Sequence, residues 1–215
     1  MILITRKYEL SMSFGYCKRV VALTLSLCLT CASQALAQQS AEGQMGLAPD
    51  VIESVLSGDA IVIMRHALAP GVSDPEIFDE DDCSTQRNLS EQGRDQAKRT
   101  GDELRRMGVE KADVFSSVWC RCVDTGELLG FGQVNVLESL NSFFVLRETE
   151  PARTGDTRLW IQQRIASNNQ TPVILVSHSV NITALTGAYV SSGEALVITT
   201  DGDASNVLGS FLVDP

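Results

Sequence analysis

Two runs, Ala60-Ile61-Val62-Ile63-Met64 and Val173-Ile174-Leu175-Val176, constrain this chain more than any other feature. Each is continuous, of strand length and rich in β-branched residues, the composition of a strand covered on both faces in a parallel sheet. Each stops abruptly, the first at Arg65-His66 and the second at Ser177-His178.

The intervening sequence alternates helix and strand signals. Asp50 to Leu56 reads as a first helix capped by Asp50. Ser90 opens a second, in which Gly93, Ala97, Gly101 and Leu104 recur at helical spacing before Gly108 closes it. Val114 to Ser117 and Val134 to Val136 read as short strands, with a helix from Val123 to Leu129 between them, ended by Gly130. Asp156 is expected to cap a helix carrying Leu159, Trp160, Ile161 and Ile165, and a further helix should run from about Asn181 to Ala188. Ala195 to Thr199 and Val207 to Val213 flank an Asp201-Gly202-Asp203 turn and predict an edge hairpin. This order predicts an α/β fold, a three-layer α/β/α sandwich with a mostly parallel central sheet.

The N-terminus reads differently. Lys18 and Arg19 precede an apolar run from Val20 to Cys31, followed by Ala35-Leu36-Ala37, the small-x-small pattern of a signal-peptidase site. Residues 1–37 are therefore expected to be a signal peptide, 38–50 a linker and 51–215 a single domain, exported to the periplasm or secreted. The apolar run is shorter than the ~20 residues that span a bilayer, so no stable membrane anchor is expected. Cleavage would remove Arg6, Lys7, Lys18, Arg19 and Glu9, turning 17 basic and 27 acidic residues into 13 and 26, a net charge of −13. That sign argues against nucleic acid as a partner.

In open α/β sheets ligands bind at the carboxyl ends of the strands. The chain's two histidines, His66 and His178, both stand there. Arg65 beside the first, and Arg121 shortly after the Val114 to Ser117 strand, add two guanidinium groups on the same side of the expected sheet. Their planar forks match phosphate oxygens.

At these residues the chain resembles the histidine phosphatase superfamily, also called the phosphoglycerate-mutase-like family, from Ile61 to about Gly187. Met64-Arg65-His66-Ala67 resembles its Arg-His-Gly motif with Ala for Gly, and Arg87-Asn88-Leu89-Ser90-Glu91-Gln92-Gly93 resembles its Leu-Thr/Ser-x-x-Gly helix start. Ser116 to Thr125, which contains Arg121, is similar to its Ser-x-x-x-Arg-x-x-x-Thr segment, and Val176-Ser177-His178-Ser179 to its second-histidine motif. The resemblance implies a phosphoglycerate-mutase-like fold and a phosphatase needing neither metal nor cofactor. His66 would form a phosphohistidine, while Arg65, Arg121 and a protonated His178 hold the phosphoryl oxygens. Ser179 and Asn141 would contact the substrate.

A general acid is harder to place. Ser142 falls where many relatives carry a carboxylate, which leaves Glu148 and Asp156, farther along, as candidates to reach back. Of the cysteines beyond the signal segment, Cys83 is expected to bond Cys120 or Cys122. The substrate class implied is a small phosphomonoester or a phosphorylated envelope component. A domain that keeps the anion pocket without turnover is the alternative.

Overall fold

A computed structural model describes residues 46–215; the expected signal peptide and linker residues 38–45 lie outside the described residues. In chain order the elements are α1 (Pro49–Leu56), β1 (Ile61–Arg65), α2 (Glu91–Arg106), β2 (Asp113–Ser116), α3 (Cys120–Leu128), β3 (Val134–Val136), α4 (Glu150–Ala166), β4 (Val173–Ser177), α5 (Ser179–Thr186), β5 (Ala195–Asp201) and β6 (Ala204–Phe211). They build one six-stranded sheet in the order β3-β2-β4-β1-β5-β6. The β3-β2, β2-β4 and β4-β1 pairs are parallel, whereas β5 pairs antiparallel with both β1 and β6.

The period-two geometry of the strands splits the core in two. Val62, Met64, Val114, Ile174 and Val176 face one side, where they pack with Val55 of α1, Leu104 of α2 and Cys122 of α3. Ile61, Ile63, Val173 and Leu175 face the other, against Ile161 of α4 and Ile182 and Leu185 of α5. Both apolar runs are therefore buried on both faces, and helices cover the two sides of a mixed, mostly parallel sheet.

Several element ends differ from expectation for local reasons. The first helix starts at Pro49, inside the expected linker, and Ala48 rather than Asp50 is its N-cap. Proline at the first helical position has its φ preset, and Asp50 instead lies in the positive first turn. Asp156 caps nothing: α4 begins at Glu150 with Pro151 in its first turn, so Asp156 sits mid-helix. Helix α3 starts at Cys120, three residues early, because the amides of Cys122 and Val123 already donate to the carbonyl of Trp119. Helix α5 stops at Thr186, where Gly187 adopts a left-handed φ of 76°. Of the expected edge hairpin only β6 is an edge; β5 is interior.

Helix α2 matches its reading closely. The Ser90 side chain accepts from the Gly93 amide, and Gly93 lies where an added Cβ would stand 2.0 Å from the Leu68 carbonyl oxygen. Glycine there lets the helix start press directly on the loop that follows β1.

Candidate active site

The site assembles at the carboxyl edge of the three central strands. His66 follows β1, its amide donating to the Ser177 carbonyl at 3.0 Å, and His178 follows β4 next door. The parallel register that pairs Arg65 with Ser177 thus sets the two imidazoles side by side, with centroids 5.6 Å apart. His66 is 2% exposed and His178 4%.

The Nδ1 of His66 lies 2.8 Å from the Ala67 carbonyl oxygen, which can only accept, so Nδ1 carries the proton and Nε2 keeps its lone pair. Thr125 orients this turn: its hydroxyl accepts from the Ala67 amide at 3.0 Å and donates to the Arg121 carbonyl. His178 is held by Ser117, whose Oγ lies 2.9 Å from Nε2, and the Trp119 ring packs edge-on at 5.3 Å.

Burial lowers the pKa of His66 to about 3. The Ala67 carbonyl opposes that fall, and the charges of Arg121, Arg65 and Arg87 add to it. His178 is held well below its ordinary value, first by burial, then by His66 and the same three arginines. Both rings are thus neutral at physiological pH. The arginines repel one another: burial and then Arg121 lower both Arg65 and Arg87. The Nε–H groups of Arg65, Arg87 and Arg121 are buried and have no acceptor among the described residues. Three buried Nε–H donors on arginines whose charges act on a neutral imidazole are chemically suited to an oxyanion.

Arg121 is already engaged. Its two terminal nitrogens donate to the two carboxylate oxygens of Asp74 at 2.7 and 3.1 Å, and its side chain is only 4% exposed. Asp74 also accepts from the Arg87 amide and from Trp119 Nε1. It comes from the long loop after β1.

The other four residues singled out in the sequence fall in four places. Ser179 is the first residue of α5, directly after His178. Asn141 is buried beside the site, where its Oδ1 accepts from the Val118 amide and its carbonyl from Asn181, which occupies both groups structurally. Glu148 is exposed in the turn Arg147–Thr149. Asp156 lines a separate groove of about 410 Å³ with Glu138, Leu159 and Trp160, to which neither histidine contributes. No described carboxylate other than Asp74 bonds a residue of the histidine-arginine cluster.

Cys83 bonds Cys120, closing the loop that carries Asp74 onto the first residue of α3; Cys122 is a free, buried thiol, pushed up to about 12 by burial. Sequence reasoning missed Asp74, Arg87 as a charge in the pocket, and the orienting pair Ser117 and Thr125. The last three lie inside motifs already recognised, so their spacing was available; nothing in the loop sequence sets Asp74 apart from the acidic residues that follow it.

The family model described as histidine phosphatase superfamily (branch 1) matches residues 61–144. That span holds Arg65, His66, Arg87 and Arg121, and β4 returns His178 to it. No curated protein matches the sequence. Among solved structures, the chain is similar to the protein histidine phosphatase SixA complexed with tungstate. There the identity is 18% and the TM-score 0.50, over 71% of this chain and 96% of that one. A mycobacterial glucosyl-3-phosphoglycerate phosphatase with VO3 aligns at 17% identity and TM-score 0.54, over 72% and 99%. A phosphoserine phosphatase from Entamoeba histolytica, in complex with 3-phosphoglyceric acid, aligns at 10% and 0.53, over 72% and 97%. At these identities the likeness is one of fold, and the family match adds that residues 61–144, 84 of the chain's 215, are similar to the histidine phosphatase superfamily (branch 1).

Proposed function

We propose that the protein is an exported phosphatase that hydrolyses phosphomonoesters through a phosphohistidine on His66, without a metal. One observation carries the reading: a buried imidazole, neutral and with Nε2 free, lies beside a second histidine and three arginines whose Nε–H groups lack acceptors. A neutral nitrogen nucleophile and fixed cations are what a loose phosphoryl-transfer transition state needs.

In this reading Nε2 of His66 attacks phosphorus as the ester P–O bond breaks, and the leaving oxygen takes up a proton from solvent, which the hydrolysis step returns. Water then attacks the phosphohistidine, which releases phosphate and restores the imidazole. Arg65, Arg121 and Arg87 hold the oxygens. His178, neutral in the free protein, takes a proton when the phosphate dianion arrives, because a nearby anion favours the charged ring. Glu148 is exposed and Asp156 lines a separate groove, an arrangement that suits substrates with good leaving groups or slow turnover.

The substrate class is a small phosphorylated molecule or a phosphorylated envelope component, met after export through residues 1–37. Among the described residues no helix is long and apolar enough to cross a membrane, and no three His, Cys, Asp or Glu side chains cluster to hold a metal. The same three solved structures, with bound tungstate, VO3 and 3-phosphoglyceric acid, are the reason to test oxyanions and phosphate esters first. A binding module without turnover is the second reading, favoured by the engaged state of Arg121.

The test is phosphate release from p-nitrophenyl phosphate at pH 5 to 7 with chelator present, by the wild type and by His66→Ala, with trapping of acid-labile phosphate on the protein. Release at least ~100-fold above the variant, insensitive to chelator, is expected. Equal rates in the two proteins would reject His66 as nucleophile. N-terminal sequencing of the protein recovered from the cell envelope should begin at Gln38; a start within the first 37 residues would reject the cleavage site.

A further inference from the structure

We infer that Asp74 is an internal competitor for the phosphoryl group: its carboxylate occupies the Arg121 fork and must be displaced for phosphate to bind there. The inference rests on the anion-site reading above but does not need turnover.

The geometry is that of an anion already bound. Asp74 receives four donors, two from Arg121, one from the Arg87 amide and one from Trp119 Nε1. These come from two separate elements, α3 with its leading residue and the segment before α2, which meet at the pocket. A carboxylate oxygen pair and two phosphoryl oxygens fit the end-on edge of a guanidinium, its two terminal nitrogens, in the same bidentate manner, so both cannot hold that edge at once; phosphate held instead through the Nε–H edge, with Asp74 in place, would leave Trp119 unmoved in the second measurement below.

The segment around Asp74 is built to let go. Val72 and Ile77 are 83% and 84% exposed, and Gly71 adopts φ 99°. Between Gly71 and Phe78 the segment is fixed to the body by Asp74 itself and by the stacking of Phe78 on Trp119 at 5.2 Å. Its far end is secured: the disulfide joins Cys83 to Cys120, and Gln86 accepts from the Cys120 amide while donating to the Asp79 and Glu80 carbonyls. A tethered loop that carries an acid onto the phosphate-binding arginine keeps that acid at high effective concentration. Arg121, 4% exposed, therefore exchanges one anion for another and is never left unpaired.

The opposite role is equally concrete: Asp74 could position Arg121 for phosphate. The two roles predict opposite signs. Inorganic phosphate binding to the wild type, Asp74→Asn and Asp74→Ala is measured by calorimetry at one pH and ionic strength. Competition predicts binding tighter in both variants by roughly fivefold or more. Unchanged or weaker binding, or none in any of the proteins, overturns it.

A second measurement needs no substitution at Asp74. Phosphate added to the wild type should shift the indole N–H resonance of Trp119, which loses Asp74 as acceptor, and leave that of Trp160 in place. A saturated protein in which Trp119 does not move overturns the displacement. Tighter phosphate binding by the variants, in proteins that release nothing from a phosphate ester, would keep the competitor and remove the turnover reading instead.

Discussion

Severing the Cys83–Cys120 bond should cost far more than the loss of one surface contact. The two residues are separated by 37 positions, and in the chain-entropy account a loop of that size restricts the unfolded state by about 13 cal/mol/K, or ~4 kcal/mol at 25 °C. For a domain of this length each kcal/mol moves the melting midpoint by about 2 to 4 °C, so the double variant Cys83→Ser, Cys120→Ser should melt about 8 to 16 °C below the oxidised wild type. Native bonds across the same seam, such as Gln86 to the Cys120 amide, remain after the bond is lost. The loss therefore falls on the denatured ensemble and not on the fold. Scanning calorimetry with and without a dithiol separates the cases: the wild type should fall to the variant's midpoint on reduction, and the variant should not respond. A reduced wild type that melts within about 3 °C of the oxidised one would refute the entropic reasoning. So would a variant that keeps its dithiol sensitivity, since Cys122 is buried and free.

Gly93→Ala should destabilise by about 3 kcal/mol and lower activity, because the new methyl would meet the Leu68 backbone two residues beyond His66. Gly155→Ala, inside α4 with open space around it, should stabilise by about 0.5 to 1 kcal/mol; equal effects in urea titrations would contradict the packing argument. Stability should also decline in acid. Both histidines have folded values below the ordinary 6.5, so below that pH the unfolded chain binds protons that the folded one does not. Each contributes up to about 1.4 kcal/mol per pH unit, which for His66 continues down to about pH 3. Burial pulls the Asp74 carboxyl up, but the Arg121 bonds and charge outweigh this and hold it low, which adds a loss in the same direction as pH falls. Urea midpoints for the wild type and His66→Gln between pH 6.5 and 4.5 should diverge, the variant falling less; parallel curves would show that His66 is not held neutral by burial.

The sheet and the histidine pair were legible because the signals are local and strong. An apolar β-branched run buried on both faces has no helical reading of the same length, and the polar residues that end it mark the carboxyl edge. Ser90 as a cap, with glycine at helical spacing behind it, was readable for the same reason. Asp74 was not, since its partner lies 47 positions away and the acidic stretch from Glu76 to Asp82 hides it. Gln96 was missed although a signal existed: it stands in the buried stripe with Gly93, Ala97 and Thr100. There it binds the Leu68 amide and the Ser192 and Val213 carbonyls, joining three distant segments. At α4 the cap signal of Asp156 loses to Pro151, whose preset φ initiates the helix five residues earlier.

The strand that carries Arg65 and His66 comes early in the chain, yet both of its neighbours come late. Met64 pairs with Val176 on one edge and Ala195 on the other, each more than a hundred positions further on. During synthesis β1 therefore leaves the ribosome as an apolar ribbon with two open edges and waits for nearly the whole polypeptide. The nearer parallel pair, β2 with β3, can form well before it. Assembly and site geometry are thus coupled: no partial product ending before β4 can set the two imidazoles side by side, so the pairing that fills one open edge of β1 is also the one that brings the histidines together.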